Sequence, residues 1–233
     1  ITRGVSSGIL NCELTFVARA PIDLAKAIEQ HRAYECALEK FGATVHSLPA
    51  EPHLPDSMFV EDPALVLGKV AVIFPLGTSS RRPEAASLAA ALAPFRELKY
   101  VELPAIAEGG DILRVDKKLF VGLSTRTDEA GIRQLEAIVA PFEYEVIDAL
   151  VTGCLHLKSA VTFLGRDTLL ANREWFDHAK LAGYEWIDVD PEEPHAANAL
   201  AFGNTVLLPA SFPKTPAGIK AATLEQWLAR WRL

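Results

Sequence analysis

Two glycines flanked by carboxylates, Glu108-Gly109-Gly110-Asp111, form a segment with the means to do chemistry. Glycine lets the backbone turn sharply, and such a turn brings both carboxylates to the start of the apolar run at Ile112. On its own the tetrapeptide reads first as a solvated turn ahead of a strand. In Leu155-His156-Leu157-Lys158 the residue types alternate, which on an extended chain puts His156 and Lys158 on the face opposite the leucines. Imidazole titrates near neutral pH and is the usual proton carrier; a carboxylate such as Glu108 beside it would fix its tautomer and raise its pKa. A structural histidine is the competing reading. Cys154 shares the His156 face on an extended chain and is a candidate thiol nucleophile, although a buried, inert cysteine is the commoner case.

Asp56, Glu61 and Asp62 stand within seven residues, between Pro55 and Pro63. Carboxylates so grouped bind a guanidinium or ammonium through charge-assisted hydrogen bonds, or a hard metal through oxygen. No second cluster at metal-ligand spacing supports a metal, so an organic cation is the expected ligand; turn chemistry around the prolines competes. Arg81 and Arg82 follow one predicted hairpin and Arg126 follows the next. Equivalent positions after successive hairpins allow these arginines to converge on one carboxylate, while surface solvation is the ordinary alternative. GxGxxG, GxxxxGK[ST] and HExxH are all missing, so dinucleotide, P-loop and zinc-protease chemistry lack their usual signals.

The elements that would position these groups repeat along the chain. Hairpins are predicted over 64–74 around Gly68-Lys69, 112–122 around Asp116-Lys117, 160–171 around Gly165-Arg166-Asp167, and 200–208 around Gly203-Asn204. Each of the first three precedes a helical pattern and then a lone strand: 84–93 and 99–103, 129–140 and 144–147, 174–181 and 184–189. A helix over 23–41, with Leu24, Ile28, Leu38 and Phe41 near one face, and a strand over 43–48 supply the back half of a further unit. A strand over 14–18 could provide half of its hairpin if the far C-terminus closed the ring. Leu224, Trp227, Leu228 and Trp231 recur at helical spacing, so by repeat logic the chain stops before that closing strand.

Composition narrows the function. The 233 residues are half apolar, enough for a proper core, and 23 basic against 30 acidic residues give a net charge of −7, a poor match to nucleic acid. The composition excludes disorder, and no apolar run reaches the roughly 18 residues of a membrane span, so a soluble protein is expected with no membrane partner. Cys12, Cys36 and Cys154 cannot make a full disulfide framework, which favours a reducing, cytoplasmic compartment. The chain starts at Ile1 with no secretory pattern, and its true N-terminus is expected upstream.

The motif order PDSMFVEDP, SSRRPE, EGGDIL, GLSTRT, LHLKS, AANALAFGN and LPASFP strongly resembles dimethylarginine dimethylaminohydrolases, members of the guanidino-modifying (amidinotransferase-like) superfamily. The resemblance covers Leu14 to Pro216 and implies an α/β fold of the pentein type. That fold is a propeller of five αβ units, the fifth incomplete here, in a single domain spanning residues 1–233. It implies His156 as general acid and base and Glu108 as the carboxylate that orients it. Asp56 would pair with the substrate guanidinium, Glu61 and Asp62 would hold its cationic portions, Arg81 and Arg126 would clamp the amino-acid carboxylate, and Leu14 would cover the pocket. The implied reaction is thiolate attack on a methylated arginine, giving citrulline and an alkylamine, with no metal or organic cofactor. Arginine deiminases carry His-x-Asp, whereas Lys158 stands here, leaving room for methyl groups. The family's nucleophilic cysteine lies beyond the region matching Phe212-Pro213, where this sequence has none. Three readings follow: a hydrolase whose C-terminal segment is not represented; a guanidino-amino-acid binding protein without turnover, or a related deiminase or amidinotransferase; and catalysis by Cys154 or a partner chain. The implied partner is a small guanidino amino acid, and since dimers occur among the relatives a homodimer is one assembly open to the chain.

Overall fold

The structure, a computed structural model, describes residues 1–202, 205–215 and 227–231. Strand β1 (Thr2–Arg3) pairs parallel with β2 (Ser47–Leu48), and α1 (Leu24–Lys40) lies between them in sequence. Four three-stranded sheets follow one pattern, an antiparallel hairpin whose second strand also takes a parallel neighbour. They are β3 (Ala64–Val66), β4 (Val70–Ile73) and β5 (Glu97–Tyr100); β6 (Ile112–Val115), β7 (Lys118–Leu123) and β8 (Glu145–Leu150); β9 (Val161–Gly165), β10 (Thr168–Ala171) and β11 (Glu185–Asp188); and β12 (Leu200–Phe202), β13 (Thr205–Pro209) and β14 (Trp227–Trp231). A parallel third strand needs a crossover, which α2 (Glu84–Leu92) provides for the first sheet and α3 (Glu129–Val139) for the second. The turn between β9 and β10 has Arg166 and Asp167 at φ 50° and 60°, the sign that a two-residue type I′ hairpin demands.

Of the strand expected over 43–48 only Ser47–Leu48 forms, and three further segments depart from the sequence reading. Residues 14–18 are not a strand: Arg19 donates to the carbonyls of Leu10 and Cys12, at 2.6 and 2.7 Å, and the Glu13 N–H goes to Asp56. The chain bends at Thr15 to Val17, which folds Arg19 back onto the residues before the segment, and the N-terminal strand is β1. The helix expected over 174–181 is two short 3₁₀ turns, Arg173–Trp175 and His178–Leu181. Phe176 separates them because it is extended, bridged to Val151 and buried. Trp227 to Trp231 forms β14 rather than a helix, since its backbone pairs with β13 from Thr205↔Trp227 to Pro209↔Trp231. The turn residues Gly203-Asn204 and the helical position Leu224 lie outside the described residues. The helix α1 forms with Asp23 as its N-cap, yet none of its residues is fully buried.

The chain divides into two compact units, Ile1–Gly109 with Thr125–Ile138, and Gly110–Ser124 with Val139–Leu233. In the first, Ala64, Ala71 and Ile73 of the β3–β4 hairpin pack with Leu88, Ala89 and Leu92 of α2. In the second, Phe120 and Leu169 lie in one core cluster, and Val206 with Leu208 in another. Among the described residues no helix is long and apolar enough to cross a membrane.

Candidate active site

The first unit holds seven of the eight residues to which the family resemblance gives a role in the site. Asp56 is buried at the loop ahead of β3, and its Oδ2 accepts the Glu13 N–H at 3.0 Å. Burial pushes the Asp56 carboxyl above its ordinary range, against the opposing pull of that N–H and of Arg81. Asp62 is buried too and accepts from Arg81 Nη1 at 2.9 Å. The same guanidinium donates from Nε and Nη2 to the two oxygens of Glu84, at 3.0 and 2.9 Å, and from Nη2 to the Asp56 carbonyl at 3.5 Å. Burial works against the Arg81 charge, but the hydrogen bonds and charges of Glu84 and Asp62 outweigh it and raise its pKa. Of the five guanidinium hydrogens, one on Nη1 is left for a ligand.

Arg126 is placed differently. Its Nη1 donates to the Thr78 hydroxyl and, at 3.5 Å, to Glu108 Oε1; its Nη2 donates to the Thr15 hydroxyl at 3.0 Å. Glu108 is fully buried and accepts the Gly77 N–H at 3.1 Å, while its own N–H donates to Thr127 Oγ1. Gly109 is required at its position: its N–H donates to the Asp62 carbonyl at 2.8 Å, and a Cβ there would stand 2.1 Å from the Glu61 carbonyl oxygen. The EGGD and VEDP segments thus interlock backbone to backbone. Leu14 and Glu61 are exposed. Burial, then the Glu61 charge, raises the pKa of Tyr34. The loop bearing Leu14 is tied to the site on either side of it, by Glu13 to Asp56 and by Thr15 to Arg126, and the Ser80 hydroxyl holds the Glu13 carboxylate at 2.5 Å.

The second unit carries His156, which is buried and extended, with φ −136° and ψ 154°. The alternation expected through Lys158 does not continue: Leu157–Ala160 forms the short helix α4, because the Leu157 N–H is taken by Asp111 Oδ1 at 2.9 Å. Cys154 and His156 lie in a bend rather than a strand, and the Cys154 thiol donates to the His156 carbonyl at 3.1 Å. Burial, reinforced by the Asp111 charge, pushes that thiol up to about 12, so at neutral pH it is protonated and a poor nucleophile.

Sequence reasoning passed over Glu84, Thr78 and Thr15, and named Asp111 only as the second carboxylate of the glycine turn. Glu84 carried a signal, standing three residues after Arg81. The threonines did not, lying 48 and 111 residues from the arginine they contact. Asp62 and Glu84 are committed to Arg81, which is the arrangement of carboxylates around a guanidinium.

The model of the family described as N,N dimethylarginine dimethylhydrolase, eukaryotic, matches residues 17–181. The chain belongs to the dimethylarginine dimethylaminohydrolase family. A dimethylarginine dimethylaminohydrolase of Pseudomonas aeruginosa is 34% identical over 195 residues, covering 83% of this chain and 77% of the relative. One of Streptomyces coelicolor is 36% identical over 203 residues, covering 87% and 78%. The structure of the Pseudomonas enzyme, as a Cys→Ser variant complexed with citrulline, matches with a TM-score of 0.91 at 30% identity, over 99% of this chain and 90% of that one. The N-terminal domain of ArgZ, an arginine dihydrolase from cyanobacteria, matches with a TM-score of 0.88 at 17% identity, over 100% and 89%. This second likeness bears on the fold alone, which is the α/β fold that dimethylarginine dimethylaminohydrolases share with it. Both the family resemblance and the fold class read from motif order are borne out.

Proposed function

We propose that this chain hydrolyses a methylated arginine, dimethylarginine or monomethylarginine, to citrulline and an alkylamine through a covalent thiol intermediate. Family membership supports the reaction, and the pattern of charge in the first unit is the observation that carries the substrate class. A buried carboxylate, Asp56, suits the cationic tail of an arginine, and a buried arginine, Arg126, suits its carboxylate head. Arg126 donates to two threonine hydroxyls as well as to Glu108, and a carboxylate would outcompete those neutral hydroxyls as acceptor. Arg81 adds one hydrogen bond from Nη1, while Asp62 and Glu61 shape the cation-binding end and Leu14 covers it.

In the proposed sequence a thiolate attacks the guanidinium carbon and forms a C–S bond. His156, as imidazolium, gives a proton to the departing alkylamine as the C–N bond breaks, and Glu108 is the carboxylate that stabilises that imidazolium. Water then adds to the same carbon, His156 takes one of its protons, the C–S bond breaks to restore the thiolate, and the second water proton passes to solvent, leaving neutral citrulline. Burial and the neighbouring Asp111 charge keep the Cys154 thiol protonated, which counts against it as that thiolate.

The test is incubation with dimethylarginine, with citrulline and dimethylamine quantified together. Equal amounts of both are expected, and His156→Ala should abolish them. Turnover that survives His156→Ala overturns the assignment of that residue, and binding without product overturns the reaction. Peptide mapping of the adduct formed with S-methyl-L-thiocitrulline, which a related dimethylarginine dimethylaminohydrolase forms in its His→Gly variant, identifies the attacking thiol.

A further inference from the structure

We propose that Asp111 is a positioning residue for His156: its carboxylate fixes the peptide that follows the histidine and so sets the direction of the imidazole. The inference rests on the reading of His156 as the proton carrier. Asp111 is fully buried, and both of its oxygens are engaged within the second unit. Oδ1 accepts the Leu157 N–H at 2.9 Å and Oδ2 accepts the Ser124 hydroxyl at 2.7 Å.

The position of His156 explains why this matters. It is the N-cap residue of α4, where the first N–H groups of the turn lack backbone partners and the cap side chain ordinarily accepts one of them. His156 makes no such capping bond. The cap is supplied instead from 46 residues earlier by Asp111, leaving the imidazole to other work. The preceding side of the peptide is held as well, since the His156 carbonyl accepts the Ser159 N–H at 3.0 Å and the Cys154 thiol at 3.1 Å. Close packing completes the cradle. A Cβ on Gly122 would stand 2.6 Å from Asp111 Oδ1 and 3.0 Å from Leu157 Cβ, so only glycine lets β7 approach the carboxylate.

The test compares Asp111→Ala with Asp111→Asn in the full chain, using dimethylarginine as substrate and NMR of labelled histidine, with the His156 resonances assigned from His156→Gln. Asparagine can still accept the Leu157 N–H and, by reversing the second bond, donate to Ser124. Loss of positioning by about an ångström lowers rate by up to about 100-fold. Asp111→Ala is accordingly expected to lower kcat about 10- to 100-fold with KM changed by less than about threefold. It should also shift or broaden the His156 ring signals, and Asp111→Asn should restore both readouts. Equal damage from both variants, or unchanged His156 signals in Asp111→Ala, overturns the proposal. If Asp111→Ala does not fold, Ser124→Ala carries the test: a reduced kcat with displaced His156 signals supports it, and no change in either overturns it. A wild type that makes no citrulline refutes the functional reading separately, because the NMR comparison does not depend on turnover.

Discussion

Arg81 and Arg126 carry the same charge at comparable depth, yet their partners give them different work. Arg81 is bracketed by Asp62 and Glu84, with four of its five hydrogens committed to protein oxygens. Its removal would strand two buried carboxylates, a loss that costs about 3–5 kcal/mol when one member of a buried pair is deleted. Arg126 faces two threonine hydroxyls and one glutamate at 3.5 Å, and Glu108 retains the Gly77 N–H without it. Arg81→Ala is therefore expected to lower unfolding stability by several kcal/mol in a denaturant titration. Arg126→Ala also takes an ion pair from the buried Glu108, and beyond any loss of stability it is expected to raise KM for dimethylarginine about 10- to 100-fold, the worth of a charge-assisted hydrogen bond. Wild-type stability in Arg81→Ala would contradict this division. Residue types and their order were legible in the sequence, since carboxylates, arginines and histidine stand in a recognisable succession. Which arginine was saturated was not legible, because that depends on Glu84 lying in the first turn of α2 and on threonines far away in sequence.

Elements were legible where pattern and burial agreed. The apolar runs of β3 and β4 and the buried residues of α2 share one core, so each confirms the other. Residues 174–181 misled because their helical spacing was outweighed by one buried aromatic, Phe176, which is drawn into an extended bridge with Val151. In 227–231 the apolar spacing fitted a helix, and pairing with β13, invisible in the local pattern, decided for a strand. The helix α1 shows a different balance: with no fully buried residue, it has little tertiary burial to hold it, so its end chemistry matters more than usual. Asp23 accepts the Lys26 N–H at 3.1 Å as the N-cap. Asp23→Ala should lower stability by about 0.5–2 kcal/mol, read by chemical denaturation, with Asp23→Asn close to wild type. An unchanged midpoint in the alanine variant would show that packing alone holds α1.

At the scale of the whole molecule, the repeat of hairpin and parallel strand explains why a site could be read from motif order at all: each motif falls at the edge of an equivalent element. The Asp62, Glu108 and Arg126 segments lie beside the hairpins of β3–β4 and β6–β7, and His156 precedes that of β9–β10. The same scale sets how substrate arrives. Dimethylarginine carries one net positive charge at neutral pH, citrulline carries none, and the protein carries −7. A field of that sign draws the cation in and leaves the neutral product unaffected. Salt weakens the attraction by shortening the screening length from about 30 Å at 0.01 M to about 8 Å at 0.15 M. Raising ionic strength over that range should therefore lower kcat/KM for dimethylarginine severalfold while leaving inhibition by citrulline nearly constant. Equal salt dependence of the two would show that screening acts on the protein itself rather than on the encounter. The control is the Arg126→Ala variant, which loses its grip on the carboxylate shared by both molecules: it should weaken substrate and citrulline together and keep the salt slope of the cation.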